Sequence, residues 1–254
     1  MIKLSAVIIT LNEERNIARC LSSLQGVADE IIVLDSFSTD KTEAICREYG
    51  VKFLAHPFEG HIQQKNMVAD MASHPYVLAL DADEALSEEL RASILAVKEN
   101  PEYDAYQFNR LTNYCGHWVT YAGWYPDVKL RLWKKNKGHW GGSNPHDKII
   151  IEKGSSVGSL RGDLLHYSYY TISQHIKQTN SFSDIAAKEA FRKGEKASFL
   201  KIVLNPLFTF IKKYFFQRGF TGGWYGFIIC INSAFGKFLK YVKLMELHQS
   251  AKAS

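Results

Sequence analysis

The sequence predicts an α/β fold: a mostly parallel sheet with helices on both faces, followed by a helical C-terminal region. Three features predict it. β-Branched and apolar runs alternate with helix-spaced segments through the first 80 residues; residues 103–170 turn to aromatics, short β-like runs and turn clusters; the last quarter is apolar, basic and helical in spacing. Strands alternating with helices of this length need right-handed crossovers, and such crossovers build a parallel sheet.

Each element has its own justification. Leu4–Thr10 is a short β-branched run and the first strand. Asn12 stands where a helix cap belongs, and Ile17, Cys20, Leu21 and Leu24 recur on one helical face. Residues 30–34 form the second strand. Asp40 precedes Glu43 by three residues in a capping-box pattern, so a helix runs from Lys41 to Tyr49 and Gly50 stops it. A strand over 51–55, a helix over 61–72 and a strand over 76–80 continue the alternation. Ser87 opens a further helix whose first turn carries Glu88 and Glu89, where carboxylates meet the positive end of the helix dipole. Residues 103–170, with the run Asp127–Trp133 and the turn cluster Gly141–Pro145, read as an irregular, partly antiparallel half closing over the sheet edge. Residues 172–193 read as a helix.

Two apolar stretches follow, 199–211 and 220–235. Neither reaches the roughly 20 uninterrupted apolar residues of a spanning helix. Pro206 breaks the first; Gly222, Gly223, Gly226 and Asn232 dilute the second. The flanking cations Lys212, Lys213, Arg218, Lys237, Lys240 and Lys243 fit helices lying in a membrane interface, or a helical pair packed on the domain or on a second subunit.

Composition narrows the function classes. A chain of 254 residues that is 46% hydrophobic and 13% aromatic buries a proper core and is not disordered. Cys20, Cys46, Cys115 and Cys230 form no CxxC pair, which argues against a disulfide framework or zinc site and for a reducing, cytosolic setting. The start has no charged region followed by a long apolar core, so no signal peptide is expected. Residues 1–187 hold 19 Lys/Arg against 23 Asp/Glu, whereas 188–248 hold 11 against 3. Without a nucleic-acid motif, this basic, aromatic quarter points to an anionic membrane face.

The chemistry concentrates at Asp81-Ala-Asp83, two carboxylates at the end of an apolar strand. Alternate residues of an extended segment face one side, and open α/β sheets bind ligands at the carboxyl ends of their strands. Such a pair suits a hard divalent cation and, through it, a diphosphate; the alternative is one helix cap and one solvated neighbour. Asp35 ends the second strand at the same edge, placed to accept hydrogen bonds from a base or ribose. Asp40 reads as a helix cap. No G-x-G-x-x-G follows the first strand and no G-x-x-x-x-G-K-[ST] occurs, which excludes a dinucleotide fingerprint and a P-loop.

Taken in order, residues 6–13 (Ala-Val-Ile-Ile-Thr-Leu-Asn-Glu), 35–42 (Asp-Ser-Phe-Ser-Thr-Asp-Lys-Thr), Gln64-Lys65-Asn66 and Asp81-Ala-Asp83 together resemble a family-2 glycosyltransferase of the GT-A fold. The likeness covers about 150 residues. Each motif alone is weak, and the ordered set is specific. With Trp124-Tyr-Pro-Asp127 and the aromatic, basic tail, the whole chain resembles the bacterial lipopolysaccharide-core β-glucosyltransferases.

The resemblance implies a nucleotide-sugar-binding half at 1–100, an acceptor-binding and catalytic half at 101–190, and a helical, membrane-facing region at 191–254. It implies that Thr10, Asn12 and Glu13 line the nucleotide pocket, that Asp35 holds the base, that Lys65 lies near the diphosphate, that Asp81 faces the ribose or sugar, and that Asp83 binds the metal, Mn2+ or Mg2+. The alternative for Lys65 is a solvated helix lysine. Loss of the diphosphate leaves negative charge that a divalent ion and a lysine stabilise. An inverting transferase also needs a general base. His146-Asp147 resembles the His-Glu pair of related enzymes, with Asp in place of Glu, and Asp127 is its rival. His166 is a further metal or phosphate contact or a structural residue, and Trp118, Trp124 and Trp133 stack on acceptor sugars or pack in the core.

The expected activity is therefore inverting, metal-dependent transfer of a hexose from a nucleoside-diphosphate sugar, UDP-glucose by the resemblance, to a glycolipid such as the lipopolysaccharide inner core. The expected place is the cytoplasmic face of the inner membrane, held peripherally and without nucleic acid. Alternatives are another cell-surface polysaccharide or lipid-phosphate acceptor, or a non-catalytic nucleotide-sugar binder. A haloacid-dehalogenase-type phosphatase is disfavoured, because its Asp-x-Asp follows the first strand and Ala85 fills the place of Thr or Val.

Overall fold

The computed structural model describes residues 1–143 and 146–253. Residues 1–111 with 127–167 form one compact unit, and 112–126 with 168–254 form a second. These are divisions by packing; the donor, acceptor and tail segments expected from the sequence are divisions by role.

The first unit opens with β1 (Leu4–Thr10), α1 (Ile17–Leu24), β2 (Glu30–Asp35), α2 (Thr42–Glu48), β3 (Lys52–Ala55), α3 (His61–Asp70) and β4 (Tyr76–Asp81). β5 (Glu84–Leu86), α4 (Glu88–Glu99), β6 (Ala105–Tyr114), β8 (Val128–Lys134), β9 (Gly138–Ser143), β10 (His146–Ile151) and β11 (Val157–Tyr169) follow; β7 (His117–Val119), between β6 and β8 in the chain, falls in the second unit. The main sheet has the order β3-β2-β1-β4-β8-β6-β11-β5. β3, β2, β1 and β4 are parallel, β8 joins β4 antiparallel, and β9 and β10 form a separate antiparallel pair.

Helices cover both faces, as the alternating pattern predicts. Ile17, Cys20, Leu21 and Leu24 of α1 and Leu90, Ile94 and Val97 of α4 pack with Leu4, Ala6, Ile8, Leu78 and Leu80. The opposite set, Val7, Ile32, Leu34, Val77 and Ala79, packs with Val68 and Ala69 of α3 and with Trp133 and Trp140. Strands buried on both faces need continuous apolar runs, which is why β1, β2 and β4 were legible.

Three local expectations are corrected. Asn12 caps no helix: it takes φ +54°, and its Oδ1 accepts from Thr39 N–H at 2.8 Å, while α1 begins only at Ile17 after Asn16. Asp40 forms no capping box; its Oδ1 accepts from Thr42 N–H two residues on and its Oδ2 from Glu14 N–H, both at 3.0 Å, stitching two loops together. Residues 103–170 also continue the sheet through β8, β6 and β11 instead of only closing over its edge, because β8 supplies the neighbour that β4 needs on its open side.

In the second unit α5 (Ile172–Arg192) starts with a full capping box from Thr171 and Gln174. α6 (Phe199–Ile211) leads through short π and 3-10 turns to α7 (Gly223–Ala253). Among the described residues no helix is long and apolar enough to cross a membrane. Tyr114, Val119, Ala122, Ile229 and Cys230 form the centre of one core of this unit, with Trp124 packed against it.

Candidate active site

The parallel register brings the predicted residues to one edge of the first unit. Thr10 pairs with Asp35 across β1 and β2, and Ile9 pairs with Asp81 across β1 and β4. The carboxyl ends of three strands therefore converge where open α/β sheets bind ligands.

The loops after β1 and β2 are tied together. Ser38 donates through N–H to Asp35 Oδ2 at 2.7 Å and through Oγ to Oδ1, and Asn12 N–H donates to Ser38 Oγ at 2.7 Å. Glu13 N–H donates to Thr42 Oγ1 at 2.9 Å. Asp35 is buried in this turn, and Thr10 Oγ1 is buried without a partner among the described residues. Burial pushes the Glu13 carboxyl up, a bond from Asn16 pulls it down, and the nearby Asp83, Asp40 and Asp81 push it up again. Leu11 and Phe37 stand exposed at the tips of the same two loops, apolar surface that the sequence reading passed over.

Lys65 is not a solvated helix lysine. Its side chain is buried, and Nζ lies 2.9 Å from Asp81 Oδ1, 2.9 Å from Asp147 Oδ2 and 4.4 Å from the Trp140 ring centroid. Its neighbours position it: Gln64 Nε2 donates to Ser36 Oγ at 2.9 Å, and Asn66 exchanges two hydrogen bonds with the Trp140 backbone, fastening α3 to β9. Lys65 and Asp81 are thus brought together with Asp147, which belongs to β10.

Asp81 is held from its other side by Arg131, whose Nη2 lies 3.1 Å from Asp81 Oδ2 and 3.2 Å from Glu84 Oε1. Glu84 Oε2 accepts from Asp81 N–H at 2.8 Å. Arg110 reaches Glu84 at 3.6 Å and Asp127 Oδ2 at 2.9 Å, and Lys129 lies 2.8 Å from Asp127 Oδ1. Both candidate bases therefore lie at opposite ends of one ion-pair network. Burial alone would raise the Asp81 carboxyl, but Lys65 and Arg131 outweigh it and hold that carboxyl far below the usual carboxylate range. Burial likewise opposes the Arg131 charge, and Glu84 and Asp81 more than restore it.

Asp83 lies just beyond this network. β5 pairs with β11 so that Glu84 faces His166, and Tyr167 N–H donates to Asp83 O at 2.9 Å. His166 Nε2 consequently sits 3.1 Å from Asp83 Oδ2, while its Nδ1 is buried with no partner among the described residues. No group of three or more His, Cys, Asp or Glu is arranged to hold a metal among the described residues. Asp83 and His166 offer one oxygen and one nitrogen donor. The carboxylate suits a hard divalent ion that takes its remaining ligands from water and substrate phosphates, and the imidazole favours Mn2+ over Mg2+.

Sequence reasoning missed Glu84, Arg131, Arg110 and Trp140. A signal existed for Arg131: an arginine inside the run Val128–Lys134 sits on a strand whose neighbours Leu132 and Trp133 are core residues. Trp133 is core, so it stacks on no acceptor. Trp124 packs in the second unit against Tyr114 at 5.8 Å, and Trp118 is partly exposed. Asn144, Pro145 and the side chain of His146 lie outside the described residues.

Comparison with known proteins finds relatives over most of the chain. The family model described as Glycosyl transferase family 2 matches residues 5–154. The chain is 34% identical to an uncharacterized glycosyltransferase of Rickettsia typhi, over 97% of this chain and 88% of that protein. It is 30% identical to the lipopolysaccharide core biosynthesis glycosyltransferase LpsC of Rhizobium meliloti, over 96% of this chain and 93% of that protein. Among solved structures, S. aureus TarS 1-349 in complex with UDP aligns at 14% identity over 98% of this chain and 92% of that one, with a TM-score of 0.47. At that distance no residue role transfers.

Proposed function

Because the chain belongs to glycosyl transferase family 2, we propose that this glycosyltransferase moves a hexose, with inversion, from a nucleoside-diphosphate sugar to a membrane glycolipid of the lipopolysaccharide-core type. The observation that carries the reading is Lys65, a buried cation at the carboxyl edge of the sheet, between Asp81 and Asp147. The Rhizobium relative named for lipopolysaccharide core biosynthesis supports the acceptor class. UDP-glucose is the donor we favour on the resemblance of the motifs.

The residues divide the work as follows. The loops at Thr10, Asn12, Glu13 and Asp35 receive the nucleoside, with Leu11 and Phe37 offering apolar surface to a base. Lys65 moves its charge onto the diphosphate as the sugar bond breaks, where a positive group lowers the barrier most. Asp81, kept ionised, orients the sugar or ribose. Asp147 takes the proton of the attacking hydroxyl. We prefer it to Asp127 because it is held through Oδ2 by Lys65, a group the diphosphate would draw away, whereas Arg110 and Lys129 occupy both oxygens of Asp127. Asp83 and His166 would hold a divalent cation, which supplies positive charge to the leaving diphosphate. The exposed apolar and basic surface of α6 and α7 supports peripheral contact with the cytoplasmic face of the inner membrane.

The test titrates a panel of nucleotide sugars with and without Mn2+, read by thermal shift and by turnover. Asp83→Asn should lose metal-dependent donor binding, and Asp147→Asn should keep donor binding and lose transfer. Near-normal Mn2+-dependent activity in Asp83→Asn would sink the metal assignment. Loss of transfer with intact donor binding in Asp127→Asn, and not in Asp147→Asn, would move the base to Asp127.

A further inference from the structure

Between Glu195 and Glu246 the chain contains no Asp or Glu and eight Lys or Arg. In the same stretch α6 buries none of its residues, and Phe216 and Trp224 are 80% and 73% exposed. Arg218 and Lys212 are exposed and have no carboxylate partner among the described residues.

Within this second unit lies a cavity of about 400 Å³, lined by Thr120, Tyr121, Tyr125, Gln217, Arg218 and Thr221, with Phe216 at its wall. That size falls in the range of small-ligand sites. Its walls are built and fixed. Ala122 N–H donates to Gln217 O at 2.8 Å, Lys213 Nζ donates to Ala122 O at 2.8 Å, and Thr221 Oγ1 donates to Arg218 O at 2.7 Å. Arg218 is held at φ +56°, a left-handed conformation that a non-glycine residue adopts only when its surroundings impose it. Gly123 leaves room for the Gln217 carboxamide, since a Cβ there would overlap it. Gln217 Oε1 is buried with no partner among the described residues, an unsatisfied acceptor in a polar wall.

We propose that this cavity seats the phosphate-bearing, hydroxylated headgroup of an anionic membrane lipid, with Phe216 and Trp224 entering the membrane interface beside it. The inference rests on the peripheral-membrane part of the proposed function. Arg218 supplies the charge for a phosphate, and guanidinium is the side chain best matched to it. The threonine and tyrosine hydroxyls and the Gln217 amide suit a neighbour that both donates and accepts hydrogen bonds. Exposed Phe216 at the cavity wall and exposed Trp224 in the same unit suit an amphiphile, because Trp and Phe gain from the boundary of headgroup and acyl chain. A second copy of this chain would bring the same unpaired cations to the contact, and like charges disfavour that occupant.

The test uses the full chain and flotation with phosphatidylcholine vesicles, with and without phosphatidylglycerol, whose headgroup carries both a phosphate and hydroxyls. The anionic vesicles should bind the protein more tightly, and the gain should shrink as salt rises above about 0.1 M. Arg218→Gln should weaken that gain about five-fold, Gln217→Leu should reduce it, and Arg218→Lys should restore part of it. Phe216→Ser with Trp224→Ser should reduce binding to both vesicle types. Donor-induced thermal shift should be the same in all of these variants, which separates failure here from failure of the transferase reading. Equal binding to both vesicle types by the wild type, unchanged binding by Arg218→Gln, or saturation of the cavity by millimolar soluble glycerol phosphate without vesicles would overturn the proposal. So would a concentration-dependent dimer that Phe216→Ser abolishes.

Discussion

Replacing Arg131 by Met tests whether the ion network holds the site together. Arg131 is 5% exposed and bridges Asp81 and Glu84, whose side chain is 0% exposed. Methionine fills much of the same volume, so the change removes charge more than packing. Asp81 keeps Lys65 at 2.9 Å, but Glu84 is left with Asp81 N–H at 2.8 Å and a more distant Arg110 at 3.6 Å. Breaking a buried pair by removing one partner costs about 3–5 kcal/mol, because the remaining charge stays buried. The surviving partners place this case near the lower end, at about 3 kcal/mol. For a protein of this size that is a fall of roughly 6–12 °C in melting temperature. The second arm is Arg131→Met with Glu84→Gln, which removes the stranded charge and keeps an acceptor for Asp81 N–H. Urea melts of the two single variants and the double should show a favourable coupling of about 1 kcal/mol or more. A single Arg131→Met variant within about 0.5 kcal/mol of wild type, or a double variant that loses the full sum of both, would refute the reasoning.

Two further predictions concern stability. His175 is buried among Tyr114, Trp124 and Tyr169, and burial depresses its pKa from 6.5 to about 4. A histidine kept neutral in the fold contributes stability that is fully present above its unfolded pKa and lost as pH falls from 6.5 to about 4. Wild type should therefore lose at most about 3 kcal/mol across that window, measured by urea melts at stepped pH, and His175→Gln should show a flatter profile; parallel profiles would contradict the assignment. Gly162, at φ +88°, lies against the backbone of Glu89 and Leu90 at the start of α4, so Gly162→Ala should cost about 3 kcal/mol or more in a thermal melt. Gly154→Ala, at φ +91° with open space around it, should cost only about 1–2 kcal/mol, and equal losses at both positions would remove the packing argument.

How far the site was legible follows from the range of its interactions. The ends of β1, β2 and β4 could be read because each strand announces itself locally, and parallel order then aligns Thr10, Asp35 and Asp81. The adjoining loops could not. Asn12 looked like a cap because its own neighbourhood resembles one, yet its partner Thr39 lies 27 residues away. Lys65 was ambiguous for the same reason: on a short polar helix it reads as solvated, and the groups that enclose it, Asp81, Trp140 and Asp147, are distant in sequence, the last of them 82 residues on. Glu84 directly follows the carboxylate pair and still went unread, since nothing nearby in sequence shows that Arg131 and Arg110 neutralise it.

That neutralisation constrains the proposed mechanism. The network contains four carboxylates, Asp147, Asp81, Glu84 and Asp127, and four cations, Lys65, Arg131, Arg110 and Lys129. It therefore has no surplus positive charge to offer a diphosphate. A diphosphate docking there must draw Lys65 from its two carboxylates, arrive with a countercharge, or do both. Drawing Lys65 away leaves two half-buried carboxylates without their shared cation, a loss that their partial desolvation makes costlier. A divalent ion held by Asp83 and His166 would relieve that opposition, since it would add positive charge while leaving Lys65 with its carboxylates. Donor affinity should therefore depend on the divalent ion far more in wild type than in Lys65→Met with Asp81→Asn and Asp147→Asn, where no ion pair has to be broken. Titrating UDP with and without Mn2+ by calorimetry measures both dependences. Equal Mn2+ dependence in the two proteins would mean that Lys65 stays with its carboxylates throughout, and the role assigned to it on the leaving group would fall.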